Sequence, residues 1–302
     1  MIIPPYLHQG SVVSIVPPAG RVNPAYVNNA KEYLENRGFK VLIASNASSA
    51  YFQFAGTDEE RLQSVQQFLD DESIHAILFA RGGYGSIRII DKLNFDGFKK
   101  HPKWLIGFSD ITIFHSMAHK LSIASLHAPM TSSMDLQRSC DDVEMALQLL
   151  DGKLVIAQPL PHKLNKNGCA DGILIGGNLS LIYALRGTPI DIDPKGKILF
   201  IEDLNEYLYH LDRMMHNLKL GGILEQLSGL IVGQFSDMKD NESPFGQSAY
   251  EIILEAVKEY SYPVIFDYPA GHVDVNYPLI FGKRVEMVVG DDLVSLKYKN
   301  LP

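Results

Sequence analysis

Short apolar runs without polar alternation recur through the first half of the chain, separated by stretches of helical periodicity. The runs at 12–16, 76–80 and 104–108 predict buried strands. Thr57 and Glu60 form a capping-box pattern that predicts the start of a helix between the first two of these runs. Strands that are apolar on both faces belong to a mostly parallel sheet covered by helices on both sides. The sequence therefore predicts the α/β class.

A change of pattern divides the chain. At roughly 100–200 residues per domain, the 302 residues suggest two domains. The alternation of strands and helices is lost over 131–170, where a predicted helix near 141–151 precedes a stretch rich in proline, asparagine, glycine and lysine. We expect an N-terminal α/β domain over 1–135, a linker with a helix over 136–170, and a second domain over 171–302. The end of the second domain predicts antiparallel strands joined by a Gly-Asp-Asp turn.

Composition excludes several classes of protein. Lysine plus arginine total 27 and aspartate plus glutamate total 35, giving a net charge of −8, which argues against a nucleic-acid partner. No basic run indicates binding to an anionic membrane surface. The two cysteines, Cys140 and Cys169, are too few for a disulfide framework or a zinc cage and fit a reducing compartment. With no signal-peptide pattern and no long apolar window, we expect a cytoplasmic protein.

Unusual residues follow the predicted strands of the first domain. The segments PPAG, RGGYGS, GFSD and LHAP each stand at a strand end. In open parallel sheets, ligands bind beyond the carboxyl ends of the strands. The sequence therefore predicts a functional site at this edge.

Ser109 in GFSD is a candidate nucleophile. A serine on a sharp strand-to-helix turn presents its hydroxyl above the sheet edge, as in a nucleophile elbow, but the G-x-S-x-G pattern is absent because position 111 is isoleucine. Ser-Asp before an apolar helix also fits a plain N-cap. The local spacing alone favours the cap.

The glycine-rich segment 81–86, RGGYGS, allows backbone N–H groups to approach a ligand closely. It lacks the G-x-G-x-x-G and G-K-[ST] patterns of phosphate-binding loops. An oxyanion-hole donor is a second interpretation, and a simple tight turn is the favoured one when the segment is taken alone.

Ten histidines are present, so any one of them is more often structural than catalytic. His272, between turn residues and strands, is free to orient. His115 and His119 lie four apart on one helix face, but the glutamate of H-E-x-x-H is missing, so we interpret them as helix-face residues. His127, at a predicted strand end, is a reserve candidate.

The segment KILFIED ends a predicted strand with two carboxylates, Glu202 and Asp203. A carboxylate in this position can hold a histidine in the tautomer that catalysis needs. The alternative is that Glu202, Asp203 and Glu206 cap the following helix.

Taken together, these segments resemble the LD-carboxypeptidase family of serine peptidases, which includes the microcin-immunity carboxypeptidases. The matching motifs follow in order: VPPAG at 16–20, FAGTDEER at 54–61, ARGGYGS at 80–86, IGFSDIT at 106–112, GGNLSLI at 176–182, LFIED at 199–203 and GHVDVNYPLIFG at 271–282. One departure is Tyr207-Leu208-Tyr209, where many members carry a proline pair before the tyrosine.

The resemblance implies a role for each matched residue. Ser109 would be the nucleophile, His272 the base and Glu202 the acid, with Asp203 and Glu206 as nearby alternatives for the acid. The oxyanion would be met by backbone N–H groups of Gly83 and Asp110. Further substrate-binding candidates are Arg81, Tyr84, Asn178, Arg186 and Asn276, of which Arg81 or Arg186 could bind a terminal carboxylate.

The resemblance also implies fold and activity. It implies an N-terminal domain like the class I glutamine amidotransferases, a C-terminal domain with a β-rich core, a homodimer, and no metal or other cofactor. The expected reaction releases terminal D-alanine from murein tetrapeptides during peptidoglycan recycling. Alternatives are hydrolysis of peptidyl-nucleotide antibiotics and a non-catalytic peptide-binding module. An amidotransferase would need a cysteine at position 109.

Overall fold

A computed structural model describes residues 1–134, 141–153 and 157–299. Its strands are β1 Val12–Val16, β2 Lys40–Ile43, β3 Ala76–Phe79, β4 Trp104–Gly107, β5 Ser125–His127, β6 Gly168–Asn178, β7 Ile198–Leu204, β8 Gly229–Ser236, β9 Val264–Ile265, β10 Leu279–Phe281, β11 Arg284–Val289 and β12 Val294–Tyr298. Its α-helices are α1 Pro24–Glu35, α2 Asp58–Asp70, α3 Asp96–Lys100, α4 Thr112–Lys120, α5 Asp141–Leu150, α6 Leu179–Ala184, α7 Leu208–Leu220 and α8 Ala249–Val257.

The chain forms two compact units. The first comprises Met1–Lys153 together with Tyr277–Gly282, and the second comprises Leu154–Asn276 and Lys283–Pro302. Helix α5, which the sequence analysis assigned to a linker, therefore belongs to the first unit.

The first unit contains a six-stranded sheet in the order β10-β5-β4-β3-β1-β2. Strands β1 to β5 pair in parallel, and β10 joins antiparallel to β5 with Leu279 opposite His127. Strands β3 and β4 are buried at every residue, as expected for a parallel sheet covered on both faces. The predicted capping box of α2 is confirmed.

The second unit contains a mixed sheet in the order β12-β11-β6-β7-β8-β9. The pairs from β6 to β9 are parallel, and β11 is antiparallel to both β6 and β12. Helices α6, α7 and α8 contribute side chains such as Ile182, Met214 and Ile253 to the buried apolar cluster of this unit. The predicted hairpin at the end of the domain is confirmed as β11 and β12.

The α/β class is thus confirmed in both units, whereas likeness of the first to the glutamine amidotransferases stays a prediction. Among the residues that the structure describes, no helix is long and apolar enough to cross a membrane.

Candidate active site

Ser109 lies at a sharp turn directly after β4. Its φ is 64°, a left-handed backbone conformation that non-glycine residues seldom adopt. The turn Ser109–Ile111 is a short 3-10 helix that leads into α4. An N-cap residue has extended backbone angles, so the plain cap interpretation does not describe Ser109. The strained serine after a buried strand has the backbone of a nucleophile elbow.

Gly82 approaches this serine closely. A Cβ placed on Gly82 would lie 3.1 Å from both Asp110 N and Ser109 Cβ, and 3.3 Å from Ser109 Oγ. Only a residue without a side chain leaves open the space in front of the hydroxyl and the Asp110 amide. The glycine loop 81–86 and the elbow therefore form one local site in the first unit.

The peptide between Gly82 and Gly83 has a fixed orientation. Gly20 N donates to Gly82 O at 3.0 Å. In a trans peptide the N–H points opposite to the C=O, so the Gly83 N–H points away from Gly20. The Asp110 N–H lies in the first turn of a helix, where amides have no acceptor within the helix. The backbone conformation thus allows both predicted oxyanion donors, the N–H groups of Gly83 and Asp110, to donate to a ligand.

The Asp110 side chain holds the glycine loop rather than capping α4. Its Oδ2 accepts a hydrogen bond from Ser86 N at 2.9 Å. Burial raises the pKa of this carboxyl, while hydrogen bonds from Ser86 and Gly85 and the charge of Arg61 oppose the rise. The residue after the serine therefore positions the opposite loop.

The two buried histidines of the first unit, His115 and His127, have structural roles. Buried His115 donates from Nε2 to Gly107 O at 2.9 Å, and its Nδ1 accepts from Ser125 Oγ at 2.8 Å. Burial lowers the pKa of His115 to about 4, so the ring is neutral at neutral pH. His127 is fully buried and packs against Phe108. No group of three or more potential metal ligands occurs within the described part of the chain.

His272 and Glu202 form a buried pair in the second unit. His272 Nδ1 lies 2.7 Å from Glu202 Oε2, and the Glu202 side chain is fully buried. Burial lowers the pKa of His272, but the hydrogen bond and charge of Glu202, with the charge of Asp203, outweigh it and raise the pKa above its usual value. A carboxylate at Nδ1 leaves Nε2 as the nitrogen that can accept a proton.

The loop that carries His272 is built around this pair. Gly271 has a φ of 129°, and a Cβ there would lie 2.9 Å from Glu202 Oε2. Gly271 N donates to Asn276 Oδ1 at 2.9 Å, and Ser236 Oγ donates to His272 O at 3.1 Å. The glycine lets the loop pass over the carboxylate, and the two hydrogen bonds hold the histidine there.

The neighbouring carboxylates have other partners. Asp203 accepts from Asn178 Nδ2 at 2.9 Å and from Ser180 N at 2.8 Å. Burial and the charge of Glu202 raise the pKa of Asp203 to about 7. Glu206 binds His210 Nδ1 at 2.6 Å. Of the three candidate acids, the structure brings only Glu202 to His272, and none of the three caps α7, whose N-cap is Tyr207.

The predicted substrate-binding residues fall into two groups. Arg81 and Tyr84 are exposed residues of the glycine loop itself, and Arg81 Nη1 donates to Arg21 O at 2.6 Å. The other three have structural bonds: Asn178 caps α6, Asn276 holds Gly271, and Arg186 pairs with Asp191 at 2.7 Å.

Sequence reasoning missed two residues that shape the site, Arg61 and Gly20. Arg61 is fully buried beneath the glycine loop, and Gly20 orients the Gly82 peptide. Both lie in motifs that were noticed, FAGTDEER and VPPAG. Neither motif by itself shows that an arginine is buried or that a glycine amide has a long-range acceptor.

Comparison with known proteins identifies the class as a peptidase. Residues 13–128 match the model of the LD-carboxypeptidase N-terminal domain, and residues 171–287 match that of the LD-carboxypeptidase C-terminal domain. Together these regions span more than half of the chain. The chain belongs to the LD-carboxypeptidase family.

Individual relatives of the chain are consistent with this family. The chain is 30% identical to the probable murein peptide carboxypeptidase of Bacillus subtilis, over 94% of this chain and 91% of the relative. It is 27% identical to the murein tetrapeptide carboxypeptidase of Pseudomonas aeruginosa, over 90% and 91%, and 24% identical to the microcin C7 self-immunity protein of Escherichia coli, over 88% and 86%. The crystal structure of a muramoyltetrapeptide carboxypeptidase from Oxalobacter formigenes superposes with a TM-score of 0.87 at 26% identity, covering 97% of this chain and 100% of that one.

Proposed function

We propose that this protein is a serine-type LD-carboxypeptidase that releases terminal D-alanine from murein tetrapeptides. The observation that carries the proposal is the left-handed serine at the strand-to-helix turn, facing a side-chain-free glycine and two backbone amides. The buried Glu202–His272 pair supports it, because it supplies an oriented base. The relatives named for murein peptides support the substrate.

The proposed reaction has two stages. His272 takes the proton of Ser109 Oγ as this oxygen bonds to the carbonyl carbon of the last peptide bond. The oxyanion that forms accepts hydrogen bonds from the Gly83 and Asp110 N–H groups. His272 then gives its proton to the departing nitrogen, and the C–N bond breaks to release D-alanine. In the second stage His272 activates a water that hydrolyses the ester and restores Ser109.

Substrate recognition requires a group for the free terminal carboxylate. We assign this role to Arg81, because Arg186 is already paired with Asp191. Tyr84, half exposed beside it, would contact the peptide. The proposal also places the reaction in the cytoplasm. It further includes that the protein is a homodimer, and sedimentation of the purified protein would test this oligomeric state.

The decisive experiment compares Ser109→Ala, His272→Ala and the double variant, with D-alanine release from a murein tetrapeptide as the readout. Residues that act as a unit are non-additive, so we expect each single variant to lose about as much turnover as the double one. A fluorophosphonate should label the wild type but not Ser109→Ala. Retained activity in Ser109→Ala, or multiplicative losses, would contradict the proposal, as would an inactive wild type, which would favour a peptide-binding module.

Hydrolysis of peptidyl-nucleotide antibiotics is the second candidate, favoured by the similarity to the microcin C7 self-immunity protein. Stacking a nucleobase needs an exposed aromatic surface. Trp104, the single tryptophan, is fully buried and donates from Nε1 to Pro5 O at 2.9 Å, so it is not available. Assaying an aminoacyl sulfamoyl nucleoside beside the tetrapeptide separates the two, since a higher kcat/KM for the nucleoside would reverse the assignment.

A further inference from the structure

Arg61 is a buried cation that the proposed mechanism does not use. It lies in the first half of α2, and its side chain has no exposed surface. Burying a charge is costly unless hydrogen bonds and an opposite charge compensate. Its one ion-pair partner in the described structure, Asp58, lies nearer the surface and also binds Arg88. An apolar side chain could fill the same volume without that cost. We therefore look for a role of Arg61 other than stability in the hydrogen bonds that it makes.

Those contacts join two separate loops. Arg61 Nη1 donates to Pro18 O at 2.6 Å and to Gly85 O at 3.0 Å. Pro18 belongs to the PPAG segment after β1, and Gly85 belongs to the glycine loop after β3. One guanidinium nitrogen therefore fixes the spacing between the two loops.

The same two loops meet again at the proposed oxyanion site. Gly20, two residues after Pro18, donates to Gly82 O and so sets the direction of the Gly83 N–H. On the other side, Asp110 holds Ser86 N, the residue after Gly85. Arg61, Gly20 and Asp110 thus each hold the glycine loop, and of these three only Arg61 ties it to the PPAG segment through a side chain.

We propose that Arg61 is a positioning residue that preassembles the oxyanion hole by clamping the PPAG segment and the glycine loop together. This inference rests on the proposed function, because it concerns the amides that would hold the oxyanion of Ser109. Arg61 itself touches no reacting atom. Its loss should affect the transition state, in which the oxyanion exists, and not the binding of the ground-state substrate.

Lys103 provides a matched control within the same unit. It is likewise fully buried, and its Nζ donates to the backbone oxygens of Phe68, Leu69 and Asp71 at 3.0, 3.1 and 2.6 Å. These carbonyls lie at the C-terminal end of α2, the helix that carries Arg61 at its other end. Lys103→Met and Arg61→Met therefore each remove a buried cation that binds backbone carbonyls, but only Arg61 contacts the glycine loop.

The experiment measures kcat and KM for tetrapeptide hydrolysis, the Tm, and the affinity for a boronic-acid analogue of the substrate, whose tetrahedral adduct places an oxygen in the oxyanion hole. For Arg61→Met we expect kcat to fall at least about tenfold, up to the roughly 10²–10³ that one oxyanion donor supplies. The boronate affinity should fall by a similar factor, with KM within about twofold. Lys103→Met should lower the Tm and leave kcat and boronate affinity within about twofold.

Arg61→Lys keeps the test decisive if Arg61→Met does not fold. A lysine is one bond shorter, so its ammonium reaches Pro18 O and Gly85 O only if the loops shift by about 1 Å, a displacement that can cost about 10² in rate. We expect a loss of kcat of at least about tenfold. If either folded Arg61 variant keeps kcat and boronate affinity within about threefold of the wild type, or if Lys103→Met loses them equally, the clamp is refuted. Retained activity in Ser109→Ala would instead refute the proposed function.

Discussion

Replacement of Gly82 by alanine tests the geometry of the serine site with the smallest possible change. The new Cβ would lie 3.1 Å from Asp110 N and 3.3 Å from Ser109 Oγ, whereas ordinary contacts fall between 3.4 and 4 Å. Gly82 is not in the left-handed region, so alanine adopts the same backbone without strain. The neighbours must therefore retreat by a few tenths of an ångström, and those neighbours are the nucleophile and an oxyanion donor.

The expected loss follows from two effects. A misplacement of about 1 Å can cost about 10² in rate, so a few tenths costs several-fold. The methyl group also stands beside the Asp110 amide, and losing one oxyanion donor costs about 10²–10³ in kcat. We expect kcat/KM to fall by about 10². The free energy of unfolding should fall by at most about 2–3 kcal/mol, because overpacking costs about 1–3 kcal/mol and the alanine gains about 0.4–1 kcal/mol through the unfolded state.

The assay is D-alanine release with kcat and KM determined separately, together with urea unfolding. Gly290→Ala is the matched control, because its Cβ would meet only Leu293 O, at 3.5 Å, and Gly290 is not left-handed either. The control should match the wild type. A folded Gly82→Ala variant with kcat/KM within about threefold of the wild type would refute the placement of the oxyanion site at this glycine.

Three further outcomes concern the second unit. Glu202→Gln should lower kcat by about 10⁴, because the amide can stabilise the wrong tautomer of His272, and should lower the pKa of His272 in an NMR titration; an unchanged pKa contradicts the pairing. The acid limb of kcat/KM should lie above pH 6.5, and Asp203→Asn should move it to lower pH; a limb at or below pH 6.5 would count against the raised pKa. Because native Asp203 keeps its proton up to about pH 7 while the unfolded form releases it near 3.8, its contribution to the free energy of unfolding declines as pH rises between these values. Urea unfolding at pH 5 and pH 8 measures this contribution. The free energy of unfolding should differ less between the two pH values for Asp203→Asn than for the wild type. An equal difference in both proteins would contradict the raised pKa of Asp203.

The sheet of the first unit could be predicted because local sequence determines it. Runs such as 76–80 and 104–108 are apolar throughout, and they form the wholly buried parallel strands Ala76–Phe79 and Trp104–Gly107. The strand β10 could not be assigned in the same way. Its residues, Leu279–Phe281, are followed closely by β11, and the local pattern favours pairing between the two. The strand instead pairs with β5, more than 150 residues earlier, and such long-range register leaves no trace in a single sequence.

The serine elbow was only half predictable. The pattern of Ser109 and Asp110 before an apolar helix fits both a cap and an elbow and by itself favours the cap, since both place a small polar residue at a helix start. What separates them is one backbone angle, the φ of 64° at Ser109. That angle is sustained by packing around the turn, such as the hydrogen bond from His115 to Gly107 O, which depends on the folded helix α4.

The identity of the acid shows where sequence reasoning stops. Successive strand residues point to opposite faces, so the sequence could show that Glu202 and Asp203 would have different neighbours. It could not show which face meets the histidine, because the partners lie far away along the chain: His272 for Glu202 and Asn178 for Asp203. Folding thus divides two adjacent carboxylates into one that orients a base, Glu202, and one that binds Asn178 and the first turn of α6, Asp203. Because each charge raises the pKa of His272, Asp203 also acts on the proposed base, and its contribution can be measured through the pH profile.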